Sequence, residues 1–233
     1  MALLLALARN VAIDDAAIKI GTGWQSGLAT SLPTRTLGVV GLGRLGAAVA
    51  RVAHLAWGMK VICWSENLTQ QRADEMAAAM GLRSENAEVP GEKTFQAVSK
   101  EELFRNADVV SMHYVLSDRS RGIVGIRELE LMKKSALLVN TSRGPLIDQD
   151  ALVKALEQGR IRGAALDVFE IEPLPLGSPW RRSNYWGRDG RSAVLTTPHM
   201  GYVDEVLMNA WYAETGENVE RWLRGQDVLH RLA

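Results

Sequence analysis

The chain has 233 residues, 47% of them apolar and 6% aromatic, with 27 lysines and arginines against 27 aspartates and glutamates. That length and apolar content bury one sizeable core, while the balanced charge provides no field to gather nucleic acid or an anionic membrane, so a small molecule is the expected partner. The single cysteine, Cys63, excludes a disulfide framework and a cysteine-spaced metal site and fits a reducing, cytoplasmic setting.

The opening run 1–8 (MALLLALA) lacks the basic start of a secretion signal and leads straight into Arg9 and Asn10, which predicts a buried or interface helix. Residues 1–30 are therefore set apart as an interface helix and loop, and no other run approaches membrane-spanning length. Strands are predicted at 36–40, 60–64, 108–113, 136–140, 164–168 and 194–196. They read as continuous apolar strips such as VVSM and ALLVN, the pattern of strands covered on both faces. Between them, 70–80 reads as a helix stopped by Gly81, and the segment after Asp148 as a helix with an aspartate cap that stops at Gly159. Strand, helix, strand in this order predicts an α/β fold with a doubly wound parallel sheet and helices on both faces, over 31–204. Two stretches rich in Gly, Pro, Ser and charge, 83–95 and 177–191, read as surface loops. The second carries Trp180, Tyr185 and Trp186, aromatics expected to cover a neighbouring surface. The tail, 205–233, holds Leu207, Trp211, Val219 and Leu223 at helical spacing, which predicts a helix with an apolar stripe.

Directly after the first strand comes Gly41-Leu42-Gly43-Arg44-Leu45-Gly46, followed by a helical run. In that context Gly41 permits a tight turn, Gly43 lets backbone approach a pyrophosphate, and Gly46 lets the helix pack close to the strand. The helix amides then face an anion, the signature of a Rossmann-type dinucleotide-binding domain. At the end of the second strand, where an acidic residue would meet the ribose of NAD, stand Ser65 and then Glu66. Ser65 removes a carboxylate that would repel the extra phosphate of NADP, and Glu66 restores a charge one position along, so NAD(H) and NADP(H) both remain open.

Three further segments lie where strands end: Asn140-Thr141-Ser142-Arg143-Gly144, the run from Asp167 to Pro173, and Thr197-Pro198-His199-Met200-Gly201. An arginine there offers a planar fork of donors to a carboxylate or a polarised carbonyl. A histidine exchanges a proton near neutral pH, and a carboxylate beside it favours the charged form and fixes the tautomer. Taken singly, Arg143 would serve equally in an ion pair with Asp148, Glu172 as a solvated loop charge, and His199 as a capped core histidine.

Together and in order, GLGRLG, VNTSRGPLID, AALDVFEIEP and TPHMGY resemble the D-isomer-specific 2-hydroxyacid dehydrogenase family, over nearly the whole chain. The resemblance implies hydride transfer between NAD(P)H and a small 2-oxo acid such as glyoxylate or hydroxypyruvate. By it Arg143 binds and polarises the substrate, His199 is the general acid and base, and Glu172 pairs with His199. Asp167 lies at the nicotinamide end, Thr141 and His113 along the cofactor groove, and Arg44 and Leu45 at the pyrophosphate. The resemblance also implies a further lobe ahead of the cofactor domain, toward which the helix of 205–233 would pack, and a homodimer formed through the cofactor domains. Without that lobe the chain is expected to bind cofactor, turn over poorly and self-associate, with the apolar helix from Leu3 to Leu7 and the Trp211 to Leu223 stripe uncovered. The family also resembles corepressors that keep this fold for protein interaction, so a regulatory module without turnover is the alternative.

Overall fold

A computed structural model describes residues 1–86, 89 and 91–230. The chain divides into two units, Met1–Pro198 and His199–Ala233, whereas the sequence placed the boundary at 204/205.

The first unit opens with α1 (Ala2–Ala8) and α2 (Val11–Lys19). The expectation that the Leu3 to Leu7 helix loses its cover is corrected: Leu4, Leu7 and Ala8 are buried in the core beside the sheet and only Leu5 among its leucines is exposed, because one side of this short apolar helix packs against the sheet. In contrast, α2 buries none of its residues.

Among the described residues seven strands follow, β1 (Thr36–Val40), β2 (Lys60–Trp64), β3 (Gln96–Ala97), β4 (Val109–Met112), β5 (Leu137–Asn140), β6 (Gly163–Leu166) and β7 (Ala193–Thr196). All pair in parallel, in the order β3-β2-β1-β4-β5-β6-β7. The apolar strips bury completely: every residue of β4, β5 and β6 is covered. Cys63, on β2 beside the edge strand β3, is fully buried and its Sγ donates to Gln96 O at 3.4 Å. Burial pushes its thiol up to about 12.

Five described helices flank the sheet: α3 (Arg44–Trp57), α4 (Gln70–Ala79), α5 (Lys100–Asn106), α6 (Ile126–Leu131) and α7 (Gln149–Glu157). Two separate cores result, one around Leu37, Ala50 and Phe95, the other around Phe104, Leu138 and Leu156. Local signals set the helix starts. Thr69 caps α4 by accepting from Arg72 N–H, Ser99 and Glu102 form a capping box on α5, and Asp148 accepts from Ala151 N–H at the head of α7.

Of the two expected loops, 83–95 is a loop only in part. Glu85 and Lys93 form an antiparallel bridge, Thr94 and Phe95 are buried, and residues 87, 88 and 90 lie outside the described residues. The 177–191 loop folds back as expected. Trp180, in a 3₁₀ turn at Pro179–Arg181, is buried, stacks on Trp186 and donates from Nε1 to Gln149 Oε1 at 3.1 Å.

The second unit is built on α8 (Glu205–Leu223), capped by Asp204, whose carboxylate accepts from Val206 and Leu207 N–H. Leu207, Trp211, Val219 and Leu223 are all exposed.

Candidate active site

Because every strand is parallel, the carboxyl ends of all seven lie along one edge of the sheet. The chain leaves β1 toward β2 on one side, while β4 pairs with β1 on the other. That switch in direction opens a crevice at the ends of β1 and β4, the position at which doubly wound sheets hold ligands.

The glycine turn fills the β1 side of the crevice, and its three glycines do three different things. Gly41 has a φ of +98° and its N–H donates to Trp64 O at 2.8 Å; a Cβ there would stand 2.6 Å from His113 O. Gly46 lies so close beneath the turn that a Cβ would meet Gly41 O at 2.2 Å. Gly43 is the opposite case, since a Cβ on it would meet no protein atom within 4 Å. It is the N-cap of α3 and provides no side-chain hydrogen bond. The first amides of a 14-residue helix are thus left open to an anion, with Arg44 and Leu45 exposed beside them. This is the cradle a dinucleotide pyrophosphate requires, and the residues present fit it.

Ser65, at the end of β2, accepts from Leu42 N–H at 3.3 Å, which ties it to the phosphate turn. His113 follows β4, its N–H donating to Val40 O and its Nε2 lying 2.8 Å from Ser111 Oγ. Burial pushes the His113 imidazole down to about 4, so the ring is neutral at physiological pH. It can therefore line a cofactor groove without bringing a charge.

The loop after β5 presents Arg143. Asn140, buried at the end of the strand, donates from Nδ2 to Arg143 O at 2.9 Å and accepts from Ser142 N–H at 3.1 Å. Ser142 Oγ in turn donates to Tyr114 O at 2.8 Å, linking this loop to the one after β4. The Arg143 side chain is exposed and donates from NH1 to Ser142 O at 2.7 Å. Asp148, the alternative partner the sequence offered it, is occupied in capping α7. Thr141 is exposed on the same loop.

The loop after β6 meets the Arg143 loop closely: a Cβ on Gly144 would lie 2.0 Å from Phe169 O, so only glycine fits. Phe169 N–H donates to Glu172 Oε1 at 2.8 Å, which brings the Glu172 carboxylate to this junction. Asp167 is buried at the end of β6, with Thr197 Oγ1 donating to its Oδ1 at 2.5 Å. His199 opens the second unit, with a φ of 52°, its ring edge-on to Tyr202 at 5.7 Å, and Tyr202 stacked on Trp211.

Within the first unit, the structure gathers Gly41, Gly43, Gly46, Ser65 and His113 at one end of the edge, and Thr141, Arg143, Asp167 and Glu172 at the other. Sequence reasoning gave Asn140 and Ser142 no role beyond their place in the segment and did not single out Tyr114, yet these three hold the Arg143 loop in place.

Comparison with known proteins adds four findings. Residues 1–201 match the D-isomer specific 2-hydroxyacid dehydrogenase, NAD binding domain. A glyoxylate reductase of Aeropyrum pernix is 41% identical over 186 residues, 76% of this chain and 50% of that protein. A D-3-phosphoglycerate dehydrogenase of Methanocaldococcus jannaschii is 35% identical over 227 residues, 97% of this chain and 38% of that protein. The chain thus spans half or less of the length of these two relatives. Among solved structures, the TT0316 protein of Thermus thermophilus superposes with a TM-score of 0.76 at 34% identity, over 97% of this chain and 64% of that one.

Proposed function

This chain belongs to the D-isomer specific 2-hydroxyacid dehydrogenase family, as its NAD-binding domain, and from that premise we propose that it serves hydride transfer between NAD(P)H and a small 2-oxo acid, glyoxylate or hydroxypyruvate. One observation carries the reading. The open N-terminus of α3 and the Arg143 loop stand along the same edge of one parallel sheet, so a cofactor and an anionic substrate are served from a single rigid frame.

The reduced nicotinamide supplies the hydride. Arg143 receives the substrate carboxylate and polarises the 2-oxo oxygen, a task its planar fork of donors suits. His199 gives the proton that the oxygen takes up as it becomes a hydroxyl, and regains it from solvent. Glu172 is the positioning residue for His199, and Asp167 and Thr141 line the nicotinamide end. The protein works in the cytoplasm, where its lone thiol stays reduced, and as a homodimer paired through the cofactor domain. Support for the pairing is the exposed apolar group on and after α2: Val11, Ile18, Ile20, Trp24 and Leu28.

The test is oxidation of NADPH and NADH by the native protein with glyoxylate and with hydroxypyruvate. Arg143→Gln and His199→Ala should each lower kcat/KM by about a hundredfold or more while cofactor binding persists. Near-parental turnover in His199→Ala would remove the proton-transfer assignment. Cofactor binding with no turnover of either acid in the parent would favour a binding module.

A further inference from the structure

The opposite edge of the sheet carries a cavity of its own. Parallel pairing brings the amino ends of β5, β6 and β7 side by side, with Leu137 beside Gly163 and Gly163 beside Ala193. The residues just ahead of these positions therefore meet: Arg162 N–H donates to Ala136 O at 3.0 Å, and Ala193 N–H to Arg162 O at 3.1 Å. They enclose a cavity of about 380 Å³ whose charged walls are Lys134, Arg162 and Arg191, with Ser135 and Gly159 between them and no carboxylate among the described residues that line it. Each of these strands is four residues long, so this edge lies roughly 13 Å from the one that carries the glycine turn and Arg143.

We propose that this cavity is a second anion site, which takes a phosphate group, free or carried on a small ester, with Lys134, Arg162 and Arg191 as its cations and Ser135 as a neutral donor. The site does not depend on the cofactor reading above.

Three cations around one cavity repel each other until an anion joins them, and a concave wall of one sign concentrates the field on that anion. The ordinary work of basic residues at this edge is to meet the carbonyls at the ends of α6 and α7. Arg160 does so by donating to Glu130 O, and Lys133 pairs with Asp108 at 3.0 Å. The three cavity residues are employed differently. Lys134 is exposed, and its ammonium has no ion pair or hydrogen bond among the described residues. Arg162 is half-buried, and its NH2 donates to Leu28 O. Arg191 is half-buried too, its guanidinium 4.2 Å from the centre of the Tyr185 ring and its Nε donating to Tyr185 O at 2.9 Å. Both guanidiniums are thus held in place with donors to spare, the fork that grips a phosphate, while Lys134 adds a point charge on a free stem.

Three features oppose an anion here. Asp189 accepts from Arg191 NH2, but it stands exposed and outside the lining. The end of α7 points its carbonyls this way, yet Leu156 O accepts from both Gly159 and Ser192 N–H, and Ala155 O from Arg160 N–H. Glu157 is engaged by Tyr185 OH at 2.9 Å and Arg182 NH1 at 2.7 Å, which hold its carboxyl below the usual range. The wall is also fixed in place: a Cβ on Gly159 would collide with Gly190 O, so the loop bearing Arg191 is seated against the end of α7.

The experiment is isothermal titration calorimetry of the full chain with inorganic phosphate and with glycerol 3-phosphate, at constant ionic strength in chloride. The parent should bind both with a Kd of about 1 mM or tighter. Lys134→Gln and Arg162→Gln should each weaken binding about tenfold, the worth of one charge-assisted contact. Gly43→Val and Arg143→Gln, at the opposite edge, should leave it within about twofold, since distant sites act independently. Lys134 is exposed, so its variant folds as the parent does and keeps the test decisive should Arg162→Gln be unstable. Equal affinities would support free phosphate as the occupant, and tighter glycerol 3-phosphate an ester. No saturable binding of either, binding lost in Gly43→Val but kept in Lys134→Gln, or citrate held as tightly as phosphate would overturn the inference.

Discussion

At Gly43 and Gly46 the same substitution should have opposite effects. A side chain at Gly43 meets empty space, so Gly43→Val should fold with an unchanged Tm and lose cofactor binding, because the added methyls occupy the place of the pyrophosphate. A side chain at Gly46 meets Gly41 O, so Gly46→Val should lower stability by several kcal/mol, on the order of an overpacked core. Thermal denaturation and NADPH fluorescence titration, run on both variants, check the pair; unchanged binding in Gly43→Val would remove the phosphate assignment. His113 gives a second residue-scale expectation. Its pKa is near 4 in the folded chain against 6.5 ordinarily, so below pH 6.5 the unfolded state binds the extra proton. Its contribution is intact above pH 6.5 and drains away as pH falls toward 4, by on the order of 3 kcal/mol in total. Urea denaturation at several pH values should show the parent losing more stability across that window than His113→Asn; equal losses would refute it. Residues of this kind were half legible in the sequence. The glycines were readable because one short segment carries the whole device, and Arg143 because its neighbours Thr141 and Gly144 share its loop. Tyr114 was not, since it meets Ser142 and Glu66, which only the folded chain brings near.

Among the elements, the strands were the most legible. A strand covered on both faces must be apolar throughout, and β1, β2 and β5 announce themselves that way. β3 did not: two residues, Gln96 and Ala97, pair with β2 at the sheet margin, too few to carry any period. The 83–95 segment misled for a related reason, because polar residues around the Glu85–Lys93 bridge conceal the buried Phe95 that ends it. For α1 the run itself predicted a buried or interface helix, as found; what failed was the expectation, drawn from the absent lobe, that Leu3 to Leu7 would lose its cover, since a short apolar run cannot say which neighbour will cover it. α2 poses the converse case, a helix with no buried residue and Ile18 and Ile20 in the open, next to Trp24 at 78% exposure. An isolated nine-residue helix is marginal in water, so its apolar side should be covered in solution. Light scattering and sedimentation should find the parent as a dimer, and Ile20→Asp with Trp24→Ser should shift it to monomer at micromolar concentration. A monodisperse monomer in the parent would exclude pairing through this region.

At the scale of the molecule, the central pairing of β1 with β4 joins residues far apart in sequence, with β2, β3 and three helices between them. Contacts of such separation form late and open together, so the sheet behaves as one cooperative unit. The chain contains a reporter for that opening. Cys63 is the sole cysteine, fully covered between β1 and β3, with its thiol held up at about 12. A thiol reagent at about pH 8 therefore finds almost no thiolate to attack until the strands part. Labelling of the native protein should be slow, and its rate should measure how often the β1-β2-β3 side of the sheet is breached. Dinucleotide bound along the strand ends favours the closed state, and should slow labelling by roughly the factor 1 + [L]/Kd. Labelling as fast as in denaturant would contradict the burial. With no engineered probe, the sulfur clocks the breathing of the sheet and registers cofactor occupancy from beneath the groove.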